Sequence, residues 1–133
     1  MARRLILDTG VLIASERGRK RLAEVIAEDD DVVIAAITVA ELMTGVELAG
    51  DQQRAKRAEF LQRVIDVLPA EIYDIETARA HAGLLAHVQR TGTTRGAHDL
   101  IVAATALATN RTVVSTDRGA RFDELPGVTW VVV

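Results

Sequence analysis

The sequence is 133 residues long, with 49% hydrophobic and 26% charged residues, no cysteine and a formal net charge of −3. A chain of this size buries roughly two-thirds of its unfolded surface, fits a single domain over residues 1–133, and lies outside the composition of disordered segments. Without cysteine there is no disulfide, thiolate nucleophile or sulfur-ligated metal, and the histidines His81, His87 and His98 form no His-x-x-x-His pair.

Any metal must therefore sit on oxygen or imidazole, which favours hard ions such as magnesium or manganese. The mild acidity announces no general affinity for nucleic acid, and 3% aromatics argue against a base-stacking platform. A carboxylate metal site with a local basic rim is compatible with both. Charges interrupt every apolar stretch before it reaches a membrane span, and Met1-Ala2-Arg3-Arg4 leads straight into a strand too short for a signal peptide. A cytoplasmic protein without membrane association is expected.

The first element is Leu5-Ile6-Leu7, a short apolar run that ends abruptly at Asp8-Thr9-Gly10 and reads as a buried strand. In open parallel sheets ligands bind beyond the carboxyl ends of strands, so Asp8 stands where chemistry is expected; it is equally suited to cap the helix beginning at Val11. That helix should stop at Arg17-Gly18. Lys20 to Glu28 reads as an amphipathic helix with Leu22, Val25 and Ile26 on one face, and Glu28-Asp29-Asp30-Asp31 as a solvated turn.

Val32 to Ala36 is a second buried strand, apolar on both faces as a parallel sheet requires. Thr38-Val39-Ala40-Glu41 has the spacing of a capping box, which gives Glu41 a structural role beside a place at the crevice. Asp51 to Val67 is helical, with Arg54, Lys56 and Arg57 on a solvated face, and Val67-Leu68-Pro69 allows a brief strand. Asp74 caps a helix reaching Arg90, with Ala78, Ala82, Leu85 and Val88 as core positions.

The turn formers of Thr91 to Gly96 lead into Ala97 to Ala108, a helix apolar nearly all round and therefore central. Asp99 falls in its first turn, where the helix dipole favours an anion, and His98 reads as a surface or capping residue. Thr112 to Ser115 is the fourth strand and ends in Thr116-Asp117, again a carboxylate at a strand end; Val128 to Val133 is the last. Strands alternating with helices predict an α/β sandwich around a mostly parallel five-stranded sheet.

Asp8, Glu41, Asp99 and Asp117 thus fall just past strand ends or at helix starts, on the rim where one crevice could gather them. Carboxylates packed together repel unless a cation neutralises them, and a divalent ion is the economical resolution. Here the sequence resembles the PIN-domain nucleases, most closely the VapC-like toxins of bacterial type II toxin-antitoxin modules. The resemblance runs essentially end to end. It rests on the apolar strand into Asp8-Thr9, on Thr38-Val39-Ala40-Glu41-Leu42-Met43-Thr44-Gly45, on His98-Asp99-Leu100-Ile101-Val102-Ala103-Ala104, and on Ser115-Thr116-Asp117 with Phe122 after it.

The resemblance implies a PIN-like three-layer sandwich and a magnesium- or manganese-dependent endoribonuclease. Asp8 and Asp99 would ligate the metal, and Glu41 and Asp117 would complete the shell or orient a water. It also implies a cognate antitoxin that presents an arginine to the acidic cluster, and a homodimer for which Val46, Leu48, Phe60 and Leu61 are candidate contacts. Gly10 departs from the small polar residue common in relatives; Thr9 and Thr116 offer hydroxyls in its place. Arg17, Arg19, Lys20, Arg21, Arg95, Arg118 and Arg121 are candidates to reach RNA phosphates, Arg118 first among them.

Other readings fit less well. Asp8-Thr9-Gly10 is also the triplet of retroviral-type aspartic proteases, but that fold is all strands. Haloacid-dehalogenase-like phosphatases need an aspartate where Gly10 stands. A receiver-like signalling domain wants an acidic pair at the first strand and a late lysine, whereas Lys56 is the last lysine here. A PIN-like binding module without activity would not need all four carboxylates, and a stand-alone PIN nuclease of RNA processing is the nearest alternative.

Overall fold

The apolar runs assemble into one parallel sheet of five strands in the order β3-β2-β1-β4-β5, seen in a computed structural model that describes residues 2–133. β1 (Arg4–Leu7) lies at the centre, with Ile6 opposite Val33 of β2 (Asp31–Ala35) and Val113 of β4 (Thr112–Ser115). The chain leaves β1 toward β2 on one side and returns to β4 on the other. That reversal makes a topological switch point at the carboxyl ends of β1 and β4.

Alternate residues of β1 feed two cores. Ile6 joins Val33, Val113, Leu84, Ala103 and Phe122 beneath α5 (Ile75–Thr91) and α6 (Ala97–Thr109). Leu5 and Leu7 join Val11, Leu12, Val64 and Val114 beneath α1 (Thr9–Glu16), α2 (Leu22–Val25) and α4 (Asp51–Val67). With α3 (Ala36–Leu48) following β2 at once, helices cover both faces and the expected three-layer α/β sandwich is present. As expected, α6 is central: Leu100 and every residue from Val102 to Ala106 are buried. Among the described residues no helix is long and apolar enough to cross a membrane.

Several local expectations are corrected. The helix foreseen over Lys20 to Glu28 is the single turn α2, because Asp30 accepts from the Ala27 N–H at 2.7 Å and from Arg3 Nη2 at 2.6 Å, folding the chain into a turn instead. The acidic run is therefore not merely solvated: Asp31 begins β2 and accepts from Arg4 and from the buried Arg111, at 3.1 and 3.0 Å. The brief strand falls one step later, at Ala70–Glu71 (β3), since Val67 still belongs to α4 and Pro69 supplies only its carbonyl, to Ile34 N–H. In α5 the Asp74–Thr77 capping box turns Thr77 inward, so the buried stripe is Thr77, Ala80, Leu84 and Val88, while Ala82 and Leu85 face outward. β5 (Trp130–Val132) closes the far edge after two 3-10 turns, Arg118–Ala120 and Phe122–Glu124.

Candidate active site

β1 delivers Asp8 to the switch point, where it caps α1: Oδ1 accepts from the Thr9 N–H at 2.7 Å. Its other oxygen accepts from Ser115 Oγ at 3.0 Å. Ser115 ends β4, and its hydroxyl oxygen also accepts from the Asp117 N–H at 2.9 Å, so one buried serine ties together the carboxylate-bearing ends of two adjacent strands. Asp117 in turn caps the 3-10 turn through Gly119 N–H at 2.8 Å.

Glu41 reaches the same crevice from α3. The capping box expected for it does not form, because α3 already begins at Ala36 and Thr38 sits buried inside the helix. Instead Thr9 Oγ1 donates to Glu41 Oε1 at 2.7 Å and stands 3.2 Å from Thr38 Oγ1. The second oxygen of Glu41 lies 3.3 Å from His98 Nδ1. Asp99 occupies the first turn of α6. A Cβ at Gly96, the residue capping that helix, would meet Asp99 Oδ2 at 2.9 Å, so the helix starts on a residue that leaves the carboxylate its place.

These groups feel one another. Burial pushes the Asp8 carboxyl up to about 6 against the pull of Ser115, with repulsion from Asp99 and Glu41 adding to it. Asp99 is also raised, first by burial and then by Asp117 and Glu41, while His98 and Arg95 pull the other way. Among the described residues no three carboxylates or imidazoles already converge tightly enough to chelate an ion. The donors are nonetheless all hard oxygens, coupled by a repulsion that a divalent cation would cancel, so they fit magnesium or manganese.

The family model of the PIN domain matches residues 5–128. The chain belongs to the PIN-domain family. It is 30% identical over 115 residues to Ribonuclease VapC of Rickettsia bellii, covering 84% of this chain and 83% of that protein. With Ribonuclease VapC5 of Mycobacterium tuberculosis it shares 35% identity over 113 residues, 84% and 82% of the two chains. The VapBC-5 toxin-antitoxin structure from Mycobacterium tuberculosis superposes with a TM-score of 0.81 at 30% identity, over 98% of each chain. VapBC2 of Rickettsia felis gives 0.86 at 20% identity, over 97% and 98%, a likeness of fold. The protein is a VapC-like PIN domain.

Within this PIN domain the remaining candidates divide by burial. Thr9 is buried and committed to Glu41. Thr116 is half-buried, and its Oγ1 would lie 3.0 Å from a Cβ at Gly10, so the threonine hydroxyl fills the space that a side chain there would claim. Arg118 is exposed, without a side-chain hydrogen bond or ion pair among the described residues. Arg95 is not free to meet phosphate: its Nη1 donates to the carbonyls of Ala120 and Arg121, at 2.8 and 2.6 Å, and its Nη2 to Glu124 at 3.0 Å. Arg121 is likewise paired with Glu124.

Among the proposed interface residues, Leu48 is 82% exposed, Val46 and Phe60 are half-buried, and Leu61 is spent in the core. Two residues were missed from sequence. His98 approaches Glu41 from α6, and Arg111 is buried across β1 and β2, donating to the carbonyls of Leu5 and Asp31. A polar residue directly before Asp99 was the available signal for the first. A lone arginine opening an apolar strand was the signal for the second.

Proposed function

We propose that this PIN domain is a magnesium- or manganese-dependent endoribonuclease that hydrolyses RNA phosphodiester bonds, and the toxin of a toxin-antitoxin pair. The observation that carries the reading is the buried Asp8, raised to about 6 at the switch point and coupled to Asp99 and Glu41. Carboxylates held together in this way repel one another, and a bound divalent cation would supply the counter-charge. Asp8 and Asp99 would hold the cation, with Glu41 and Asp117 completing the set. When bound, the ion stabilises negative charge on the phosphodiester oxygens and lowers the pKa of the attacking water.

The chain's own part is positioning. Thr9 and His98 contact the two oxygens of Glu41, 2.7 and 3.3 Å away, and so fix its direction. Ser115 holds Asp8 and the start of the Asp117 turn in register, at 3.0 and 2.9 Å. Arg95 fastens the following residues to the start of α6, keeping Asp117 and Asp99 in a constant relation. Thr116 and Arg118 stand beside this edge as substrate contacts.

The relatives crystallised as VapBC toxin-antitoxin complexes support a cognate antitoxin here, acting with the toxin in the cytoplasm. A homodimer through the exposed Leu48 is part of the same proposal. The test is RNA cleavage by the chain freed of any co-purifying small protein. Cleavage with magnesium, its loss in EDTA, and its loss in Asp8→Asn and Asp99→Asn variants that still fold are expected. Cleavage that persists in EDTA or in both variants would overturn the metal site. Activity of the complex purified from its native operon would overturn the toxin role.

A further inference from the structure

The exposed cations of this chain are not evenly neutralised. Arg3, Arg4, Arg54, Arg79 and Arg121 each stand within 4.0 Å of a carboxylate. Arg17, Lys56 and Arg57 belong to those with no carboxylate partner among the described residues, and these three line one depression of about 340 Å³ with Gln53 and Glu16. Three cations against one carboxylate stand out on a chain whose net charge is −3.

The geometry of the two helices explains the cluster. Gln53, Lys56 and Arg57 are spaced i, i+3, i+4, so α4 presents them on one stripe. Arg17 faces them from the C-terminal end of α1, where the helix dipole favours a cation. Arg57 is partly buried and its Nη1 donates to the Gly45 carbonyl at 3.1 Å, which holds the guanidinium in place with its other donors uncommitted. Glu16, Arg17 and Arg57 also line a second depression, of about 140 Å³, together with Glu41 and the apolar Ile13, Leu42, Phe60 and Leu61. The basic cleft therefore shares Glu16, Arg17 and Arg57 with a depression that Glu41 also lines.

We propose that this cleft between α1 and α4 carries the phosphate backbone of the RNA strand on one side of the scissile bond, Arg17, Lys56 and Arg57 each neutralising a phosphate. The inference rests on the ribonuclease reading and adds a direction to it: the strand leaves the carboxylates past Glu41 toward α4, away from the Arg118 turn. Phosphate contacts of this kind give affinity and register without base specificity.

The experiment measures binding of a fluorescein-labelled 20-nucleotide single-stranded RNA to the full chain in EDTA by anisotropy, from 50 to 300 mM KCl. It compares the Arg17→Gln/Lys56→Gln/Arg57→Gln variant with a control carrying Arg79→Gln and Arg90→Gln on α5. Each lost phosphate contact removes about 0.7 from the slope of log K against log salt, so the triple variant should lose roughly 2 and bind roughly 10- to 100-fold more weakly at 100 mM, the control far less. With magnesium, the loss of kcat/KM on the 20-mer should exceed the loss on a trinucleotide at least tenfold, because the short substrate does not reach the cleft.

An unchanged slope, an equal loss in the control, or equal losses on both substrates would overturn the proposal. So would unaltered RNA binding accompanied by weakened binding of a co-purifying protein, which would assign the cleft to that partner. If the unmodified chain cleaves no RNA at all, the ribonuclease reading itself fails, and the two failures are distinguishable.

Discussion

Replacing Asp8 by asparagine should stabilise the metal-free protein at neutral pH. Asp8 is 7% exposed, and its carboxyl stands at about 6 in the folded chain against an ordinary value of 3.8. The native state therefore binds the proton more tightly than the unfolded state between those values, and the charged form costs stability above pH 6 and nothing below about 4. At about 1.4 kcal/mol per pKa unit the cost at pH 7 is about 3 kcal/mol.

Asparagine removes that charge and keeps an acceptor for the Thr9 N–H, but its amide group meets the Ser115 hydroxyl as a donor where the carboxylate accepted. Returning about 1 kcal/mol for this mismatch leaves a net gain of roughly 2 kcal/mol, or about 6 °C in Tm. Thermal unfolding followed by circular dichroism in EDTA at pH 7.5, 6, 5 and 4 reads the difference. The gap should be largest at pH 7.5, shrink as pH falls from 6 to 4, and reverse slightly at pH 4. An asparagine variant less stable than the unmodified chain at pH 7.5, or a gap independent of pH, would refute the burial and repulsion argument.

Glu41→Gln should leave Tm within a few degrees, since no capping box depends on the charge, while RNA cleavage falls about 100-fold or more in initial-rate assays. Gly96→Ala places a Cβ 2.9 Å from Asp99 Oδ2; cleavage should fall about tenfold or more, with unfolding in urea shifted by less than about 1 kcal/mol. Arg95→Met unties two carbonyls and Glu124 from a side chain that is 5% exposed, and should cost about 2–3 kcal/mol in urea unfolding. The same change should abolish most cleavage, because the turn carrying Asp117 is released. Full activity in that variant would show that the turn holds itself.

The sequence by itself determined what depends on neighbours along the chain. The apolar run Leu5-Ile6-Leu7 that stops at Asp8, the evenly apolar Ala97 to Ala108 and the Asp74 cap are patterns whose physics is local: strand and helix periods, a capping oxygen, a glycine at a boundary. Together with the strand-helix alternation they were enough for the parallel sandwich, and they set Asp8, Asp99 and Asp117 at strand ends or helix starts before any packing was known.

Tertiary structure decided what those patterns could not carry, namely which polar groups meet across elements. The local spacing of Thr38 and Glu41 mimics a capping box, yet Glu41 spends its Oε1 on Thr9, 32 residues away, because α3 begins two residues before Thr38. Arg95 looks like surface charge in sequence, yet the side chains of Arg95 and Arg111 are both 5% exposed in the fold, where carbonyls brought from 25 and 80 residues away accept from their Nη1 atoms while each Nε stays unpaired. Burial of a charge is decided by the partners that packing supplies, and periodicity records only which side of an element is apolar. The basic cleft has the same origin. Lys56 and Arg57 read as an ordinary solvated face of α4 until Arg17, at the end of a different helix, is brought opposite them.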